Sequence, residues 1–354
     1  MQKFTRHITL ILVLLAGVTL SSFAGNESRK GTAGAQELLI PVGARGIALA
    51  SSNVSMATGL DAVHWNPAGL ARTDRSAEVM FSHMSYFGDI NVEYGGLGVN
   101  TGFGSLGFTI KSLNFGDIPV TTEDFPDGTG EMYSPTFVTL GVSYSRLLSD
   151  RISVGATFNI ITEKIMSTSA SGVALNAGVQ YHGLGMPGLD LGIAIKNIGP
   201  NMTFTGSNLL RQATVNDALR PGQFYATEAA AFDLPATLEI GLAYEKKFDV
   251  HSLSLMTDFV NNNYTNDEYN VGVEYGFDNL LFLRGGYQFS PGMERSELKD
   301  AGIEAKYQSD YLYDFTLGAG LNYEVSGTAV MIDYAYRHLK FMDANHIISM
   351  RLGF

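Results

Sequence analysis

The sequence predicts an all-β fold: a 14-stranded antiparallel transmembrane β-barrel preceded by an N-terminal plug, or hatch. Three observations carry this. Only 16% of the 354 residues are charged against 45% hydrophobic, with 40 Gly, 17 Tyr and 21 Phe, whereas a soluble globular chain is about 25% charged. The amino-terminal residues have the build of an export signal. Downstream, apolar and polar side chains alternate in segments of about ten residues, joined by connections that are short and long in turn, as in barrels that separate lipid from a polar lumen.

Composition also excludes several classes. A disordered chain would be rich in charge and poor in aromatics. A net charge of −12 without a basic run argues against a nucleic-acid partner. With no Cys, disulfides, thiolate metal sites and Cys nucleophiles are absent.

Lys3 and Arg6 form a basic n-region, residues 8–20 are apolar apart from Thr9 and Thr19, and Ser22-Phe23-Ala24 supplies small residues for cleavage after Ala24. Residues 1–24 are therefore expected to be a signal peptide, since the apolar stretch is shorter than the ~20 residues of a spanning helix. No later segment is apolar enough for such a helix. The expected location is the cell outer membrane of a Gram-negative bacterium.

Residues 25–76 lack sustained alternation and carry small-residue runs such as Gly46-Ile47-Ala48-Leu49-Ala50. Placed before a barrel wide enough to hold water, they are expected to fold inside it as the hatch. Asn66-Pro67 has the form of a helix start, with Asn as cap and Pro at the first helical position.

The barrel, 77–354, is expected to place strands at 77–87, 91–101, 105–114, 136–146, 151–165, 172–182, 188–198, 235–246, 250–260, 267–276, 280–288, 313–323, 328–337 and 345–354. The last shows the pattern well: His346, Ile348, Met350, Leu352 and Phe354 share one face, opposite Asn345, Ser349 and Arg351. The stretch 300–308, with Ile303 and Tyr307, is an open extension of the twelfth strand. A soluble β-sandwich also alternates. Against it stand the Tyr and Phe at the ends of the apolar faces and the short-long order of connections, with longer ones near 115–135, 166–171, 199–234, 261–266, 289–312 and 338–344. An even strand number returns both barrel ends to the same side of the membrane. Phe354, a terminal aromatic in lipid-facing phase, is expected to act as the signal read by the barrel-insertion machinery.

The same phase points Glu93, Lys111, Lys196, Glu239, Glu245, Asp258 and Glu268 into the lumen, and with them Glu274, Arg284, Asp314, Glu324, Asp333, Arg337 and Arg351. Such a lumen is polar and net acidic. Glu239, Glu274, Arg284, Asp333, Arg337 and Arg351 are the candidates to pair with the hatch, and Arg45 is the hatch cation that would meet them. The loop 199–234 carries apolar stretches, Leu209-Leu210, Phe224-Tyr225-Ala226 and Ala229-Ala230-Ala231-Phe232, which are a candidate partner or lipid-ligand surface or a cover folded back over the barrel mouth. The acidic loop at 115–135 lacks the spacing of a calcium loop. Of seven His, only His338 falls near an expected outer loop, beside Asp343, with no nucleophile identifiable. No catalysis, metal or cofactor is expected.

Trp65-Asn66-Pro67-Ala68-Gly69-Leu70, preceded by Gly43-Ala44-Arg45-Gly46, resembles the N-terminal signature of the PorV/PorQ family, within the wider FadL-like superfamily of outer-membrane barrels. Arg45, Trp65, Asn66, Pro67, Ala68 and Gly69 are the matching hatch-motif positions. One departure is Ala50-Ser51-Ser52, where relatives tend to carry a Gly pair. The resemblance implies 14 strands, a hatch, and one of two roles. PorV/PorQ-type members serve type IX secretion, without catalysis, with secreted proteins bearing C-terminal signal domains and other secretion-system components as partners. FadL-like members instead pass hydrophobic small molecules such as long-chain fatty acids through the barrel. The secretion role is the leading expectation and solute transport the alternative, with outer-membrane lipid as surroundings in either case.

Overall fold

A computed structural model describes residues 29, 31–213, 222–290 and 311–354. Within them the chain forms a closed antiparallel barrel of fourteen strands: β1 (Ala77–Ser85), β2 (Asn91–Thr101), β3 (Gly104–Asn114), β4 (Thr136–Leu147), β5 (Ile152–Ile165), β6 (Thr168–Tyr181), β7 (Leu189–Ile198), β8 (Thr237–Phe248), β9 (His251–Asn262), β10 (Glu268–Phe277), β11 (Leu281–Phe289), β12 (Tyr313–Val325), β13 (Thr328–Leu339) and β14 (Asn345–Gly353). Each pairs with its sequence neighbours, and β14 pairs with β1 from Glu78↔Gly353 to Ser85↔His346, which closes the sheet. No helix among the described residues is long and apolar enough to cross a membrane. Residues 1–24 and the stretch 300–308 lie outside the described residues.

Period-two alternation turns one side of each strand outward. Val271, Val273, Tyr275 and Phe277 of β10 are exposed while Asn270 and Glu274 are buried. The same holds for Ile348 and Met350 against Ile347 and Ser349 of β14. This exposed apolar belt suits hydrocarbon, where every backbone group is paired in the ladder and side chains meet lipid. Aromatic rings in contact line its edge on neighbouring strands, Phe259 tilted against Tyr269 and Tyr269 stacked on Phe289.

Short turns join strands at the end where β1 begins, the turn end. Longer connections lie at the opposite loop end and carry small ladders, Ile118–Pro119 with Met132–Tyr133 and Leu210–Ala213 with Gln223–Ala226. One expected loop is absent: at 166–171 the structure has a two-residue turn, and β6 starts at Thr168 rather than 172. Ser169 and Ser171 occupy outward positions there, so no apolar alternation marks the strand.

Two lumen assignments also fail. Glu93 faces outward, with His83 Nδ1 at 2.6 Å. The neighbouring Tyr94, whose ring reads as lipid-facing, instead turns inward and packs against the hatch at 5% exposure. Asp314 is turned out by a register shift between Tyr313 and Thr316 of β12, and it bonds His338 Nδ1 at 2.7 Å. His338 stacks on Phe315 on the same outward face.

The lumen core is hatch against wall. Val42, Ile47, Leu60, Val63, Trp65 and Leu70 of the hatch pack with Met80, Met84, Tyr94, Leu113, Ala335 and Ile347 of the strands. Leu60 is fully buried, its methyls lying over Gly96 and Gly98 of β2. Replacing Leu60 with Ala removes those contacts and leaves a void, so Leu60→Ala is expected to lower stability by about 2–5 kcal/mol. A urea titration of the detergent-solubilised protein measures it; an unchanged midpoint would show that this packing does not hold in solution.

Candidate functional site

The hatch consists of short helical turns linked by polar contacts to the wall. Helix α1 (Ala44–Ala48) and helix α2 (Ala62–Trp65) are joined by irregular chain, with 3-10 turns at Gln36–Leu39, Gly59–Asp61 and Pro67–Ala71. The Asn66-Pro67 step does what its residue types suggest: Asn66 is extended, its Oδ1 accepts from the Ala68 amide at 3.1 Å, and Pro67 opens the next turn. Its amide nitrogen does more. Nδ2 lies 3.0 Å from the Val54 carbonyl, 3.1 Å from Val179 of β6 and 3.4 Å from Ile193 of β7. One side chain thus ties two parts of the hatch to two strands, in space left by Gly178, where any Cβ would overlap Asn66 Oδ1. Trp65 is buried against Gly46 for a similar reason. Ala68 accepts from Ser145 Oγ at 2.9 Å, and Gly69 packs on Ala57 and Ala62.

Arg45 projects from α1 into a buried ion network. Its Nε and Nη2 both donate to Glu274 of β10 at 2.9 Å, the fork geometry that suits a carboxylate. Arg284 of β11 also donates to Glu274, at 2.5 Å, and to Asp333 of β13 at 2.6 Å. Arg351 of β14 reaches the hatch separately, donating to the Thr58 carbonyl at 3.2 Å. Burial pushes the Asp61 carboxyl of the hatch up, partly offset by Arg351 and Arg45. Burial, then Lys196 and Lys111, holds the His64 imidazole well below its usual range, so it is neutral beside Trp65.

The other two candidates pair within the wall. Glu239 of β8 bonds Lys196 of β7 at 2.6 Å, and Lys196 lies 5.9 Å from the Trp65 ring. Arg337 of β13 donates to Gln288 at 2.8 Å and stacks 3.3 Å above the Tyr313 ring. Phe354 has its ring on the outward face and its carbonyl bonded to the Ser76 amide at 2.8 Å.

Sequence phase alone missed several ties. Glu78 accepts from the Leu60 amide at 2.5 Å, Asp258 from the Val54 amide at 3.0 Å, and Lys111 donates to the Ile40 carbonyl at 2.7 Å. The available signal was a charged residue at an inward position, but which hatch backbone group it meets depends on the fold.

Above the hatch, at the loop end, the lumen is open. A cavity of about 620 Å³ has the segment 36–41 together with His64 and Trp65 as its floor. Tyr86, Phe87, Phe115, Phe137, Phe204 and Tyr313 give it an aromatic wall, and Glu37, Glu163, Glu268, Arg337 and the Lys196–Glu239 pair are charged groups along it. Ligand sites commonly combine such an apolar lining with a few placed polar groups. Below, Ala44, Ala48, Leu49, Val54, Ala57 and Leu60 are fully buried, so the hatch closes the middle of the barrel.

No family model and no curated protein matches the chain. Solved barrels do. The Pseudomonas putida toluene transporter TodX aligns over 88% of this chain and 98% of its own, at 12% identity and a TM-score of 0.54. CymD, a monoaromatic hydrocarbon channel, aligns over 89% and 98% at 13% identity and 0.53, and a Pseudomonas aeruginosa FadL homologue over 89% and 98% at 14% and 0.52. The barrel is FadL-like in fold.

Asn66 offers a sharp test of the hatch anchor. In an isolated helix Asp caps as well as Asn and far better than Ala. Here Asp would retain the Ala68 contact but aim an anionic oxygen at three carbonyls. Asn66→Asp is therefore expected to lower the thermal midpoint in detergent more than Asn66→Ala does, and the opposite order would mean that only the cap matters.

Proposed function

We propose that the chain is an outer-membrane channel that admits small hydrophobic solutes through the cavity above the hatch. The observation that carries this reading is the cavity itself: about 620 Å³ of space at the loop end, walled by aromatic and aliphatic side chains and floored by the hatch. A purely structural barrel needs no such space. Burial in it would take an apolar solute out of water at about 25 cal/mol per Å² of surface. The solved barrels with this fold that are named as hydrocarbon channels and a toluene transporter support the reading. The membrane location rests on the lipid-suited belt of the barrel, and the outer membrane on that fold.

The secretion role implied by the resemblance to PorV/PorQ proteins needs a different surface, on the loops. No contact among the described residues favours it over transport. Its partners, secreted proteins with C-terminal signal domains, are best sought at the exposed ladder Leu210–Ala213 with Gln223–Ala226.

Transport predicts that toluene or a long-chain fatty acid enters intact cells faster when the protein is present. Phe137→Asp, which puts a carboxylate on the aromatic wall, and Ile40→Trp, which fills the floor, are each expected to lower uptake by about tenfold or more, equivalent to ~1.4 kcal/mol of lost interaction. Barrel assembly, read from heat-modifiable gel mobility, should be retained. Unchanged uptake in a deletion strain, together with failed export of proteins bearing C-terminal signal domains, would reverse the assignment.

A further inference from the structure

We propose that the leading segment of the hatch, 33–41, is a pH-sensitive lid on the cavity floor, held to the barrel wall by one proton shared between the carboxyl groups of Glu37 and Glu163. Glu37 sits in the 3-10 turn Gln36–Leu39 and is 3% exposed; Glu163 lies on β5 and is 4% exposed. Neither carboxylate oxygen of Glu37 finds a hydrogen-bond donor among the described residues, and the acidic side chain that meets it is Glu163. Two buried carboxylates in contact repel when both are ionised. A single proton converts the repulsion into a short, charge-assisted O–H···O bond between hatch and wall.

Among the described residues one cation acts on the pair, and a shared proton neutralises its second charge. Lys111 of β3 is the cation that acts on Glu37, and its Nζ donates to the Ile40 carbonyl at 2.7 Å. Ile161 of β5, Ala170 and Ala174 of β6, and Met202 and Leu234 of the following loop pack on the segment; Thr139, Asn159, Asn176 and Asn197 line a small cavity beside Leu38, and Lys196, Glu239, Glu268 and Arg337 share the larger cavity with Glu37. Burial pushes the Glu37 carboxyl up to about 8, and Glu163 raises it further in the same direction. In the detached segment Glu37 would titrate at its ordinary position near 4.5. The attachment is thus strongest below that ordinary value, weakens by up to about tenfold per pH unit as pH rises above it, and has lost its full advantage beyond about 8. Because 36–41 floors the cavity, detachment would enlarge the space at the loop end without disturbing the anchored remainder of the hatch.

The chain has no Cys, so one reporter thiol can be read alone. Leu38→Cys places it on the lid, where the native side chain is 8% exposed, and Phe125→Cys gives a control at a position 60% exposed. Each is reacted with a water-soluble methanethiosulfonate in detergent, and the Leu38→Cys rate is divided by the control rate to remove the pH dependence of the thiol. The ratio is expected to rise at least about tenfold between about pH 5.5 and about pH 9. Adding Glu163→Gln or Glu37→Gln should flatten the rise, because an amide donates to the remaining carboxylate without a shared proton. Glu37→Gln changes only the hatch, so it carries the test if the wall variant fails to assemble. A flat ratio in the parent, a rise that both variants leave intact, or a rise abolished by calcium at constant pH would each overturn the shared-proton lid.

Discussion

An unpaired backbone amide or carbonyl in hydrocarbon costs several kcal/mol, because no water is present to replace the lost partner. For a chain that crosses with strands, the sheet must therefore have no free edge at membrane depth. The β1–β14 ladder supplies this, with eight consecutive register pairs from Glu78↔Gly353 to Ser85↔His346. The rest follows from closure. Fourteen strands enclose a lumen too wide for side chains alone to fill, and an empty lumen would be an aqueous hole. One interruption in the ladder is instructive. β6 pairs with β7 only from Leu175 onward, and its loop-end portion is covered instead by Thr205–Gly206 of the following loop, with Met202 packed behind it. The edge is capped rather than left bare.

Filling the lumen with backbone creates a second satisfaction problem, since irregular chain inside a barrel has amides and carbonyls without ladder partners. The wall solves it with inward polar side chains matched to individual hatch groups: Glu78 to Leu60, Asp258 to Val54, Thr316 to Ala48, Ser349 to Ala44 and Gln180 to Val54 and Ala57. This accounts for a polar lumen better than ion conduction does. The Arg45–Glu274–Arg284–Asp333 chain is the charged version of the same arrangement, each buried charge having a partner of opposite sign.

Much of the fold was legible because lipid imposes a simple code. Wherever the outward face had to be apolar, alternation marked the strand, and fourteen strands appeared in sequence and structure with boundaries shifted by only a few residues. Legibility failed where lipid does not dictate the residue. Ser169 and Ser171 stand at the loop end of β6, so its first turn of strand was invisible. Tyr94 suits lipid or a hatch contact equally, and its choice of the hatch turned Glu93 outward. The bulge at Tyr313–Thr316 reversed Asp314 by adding one residue to the register. For the site, the motif identified Asn66 and Arg45 as structural residues of the hatch. The pairing of Glu37 with Glu163 had no sequence signal, because 126 positions separate them and Glu37 belongs to no periodic element.

The distribution of ties within the hatch limits how it can move. From Ala44 to Ala71 its contacts radiate to β1, β4, β6, β7, β9, β10, β12 and β14, so displacing that part as a unit would break them together. Contacts near the segment 33–41 are different in kind. It is joined at its start to the loop carbonyl of Asp233, at its end to Lys111, and between them by an apolar cluster and a carboxyl pair. The aromatic wall above it is closed by side chains, whereas the hatch below it is closed by backbone. A solute passing from the cavity into the barrel would therefore displace least at this leading segment, whose ties are few and local. Rearrangement there breaks a few contacts and leaves the paired ladder, and with it the membrane seal, untouched.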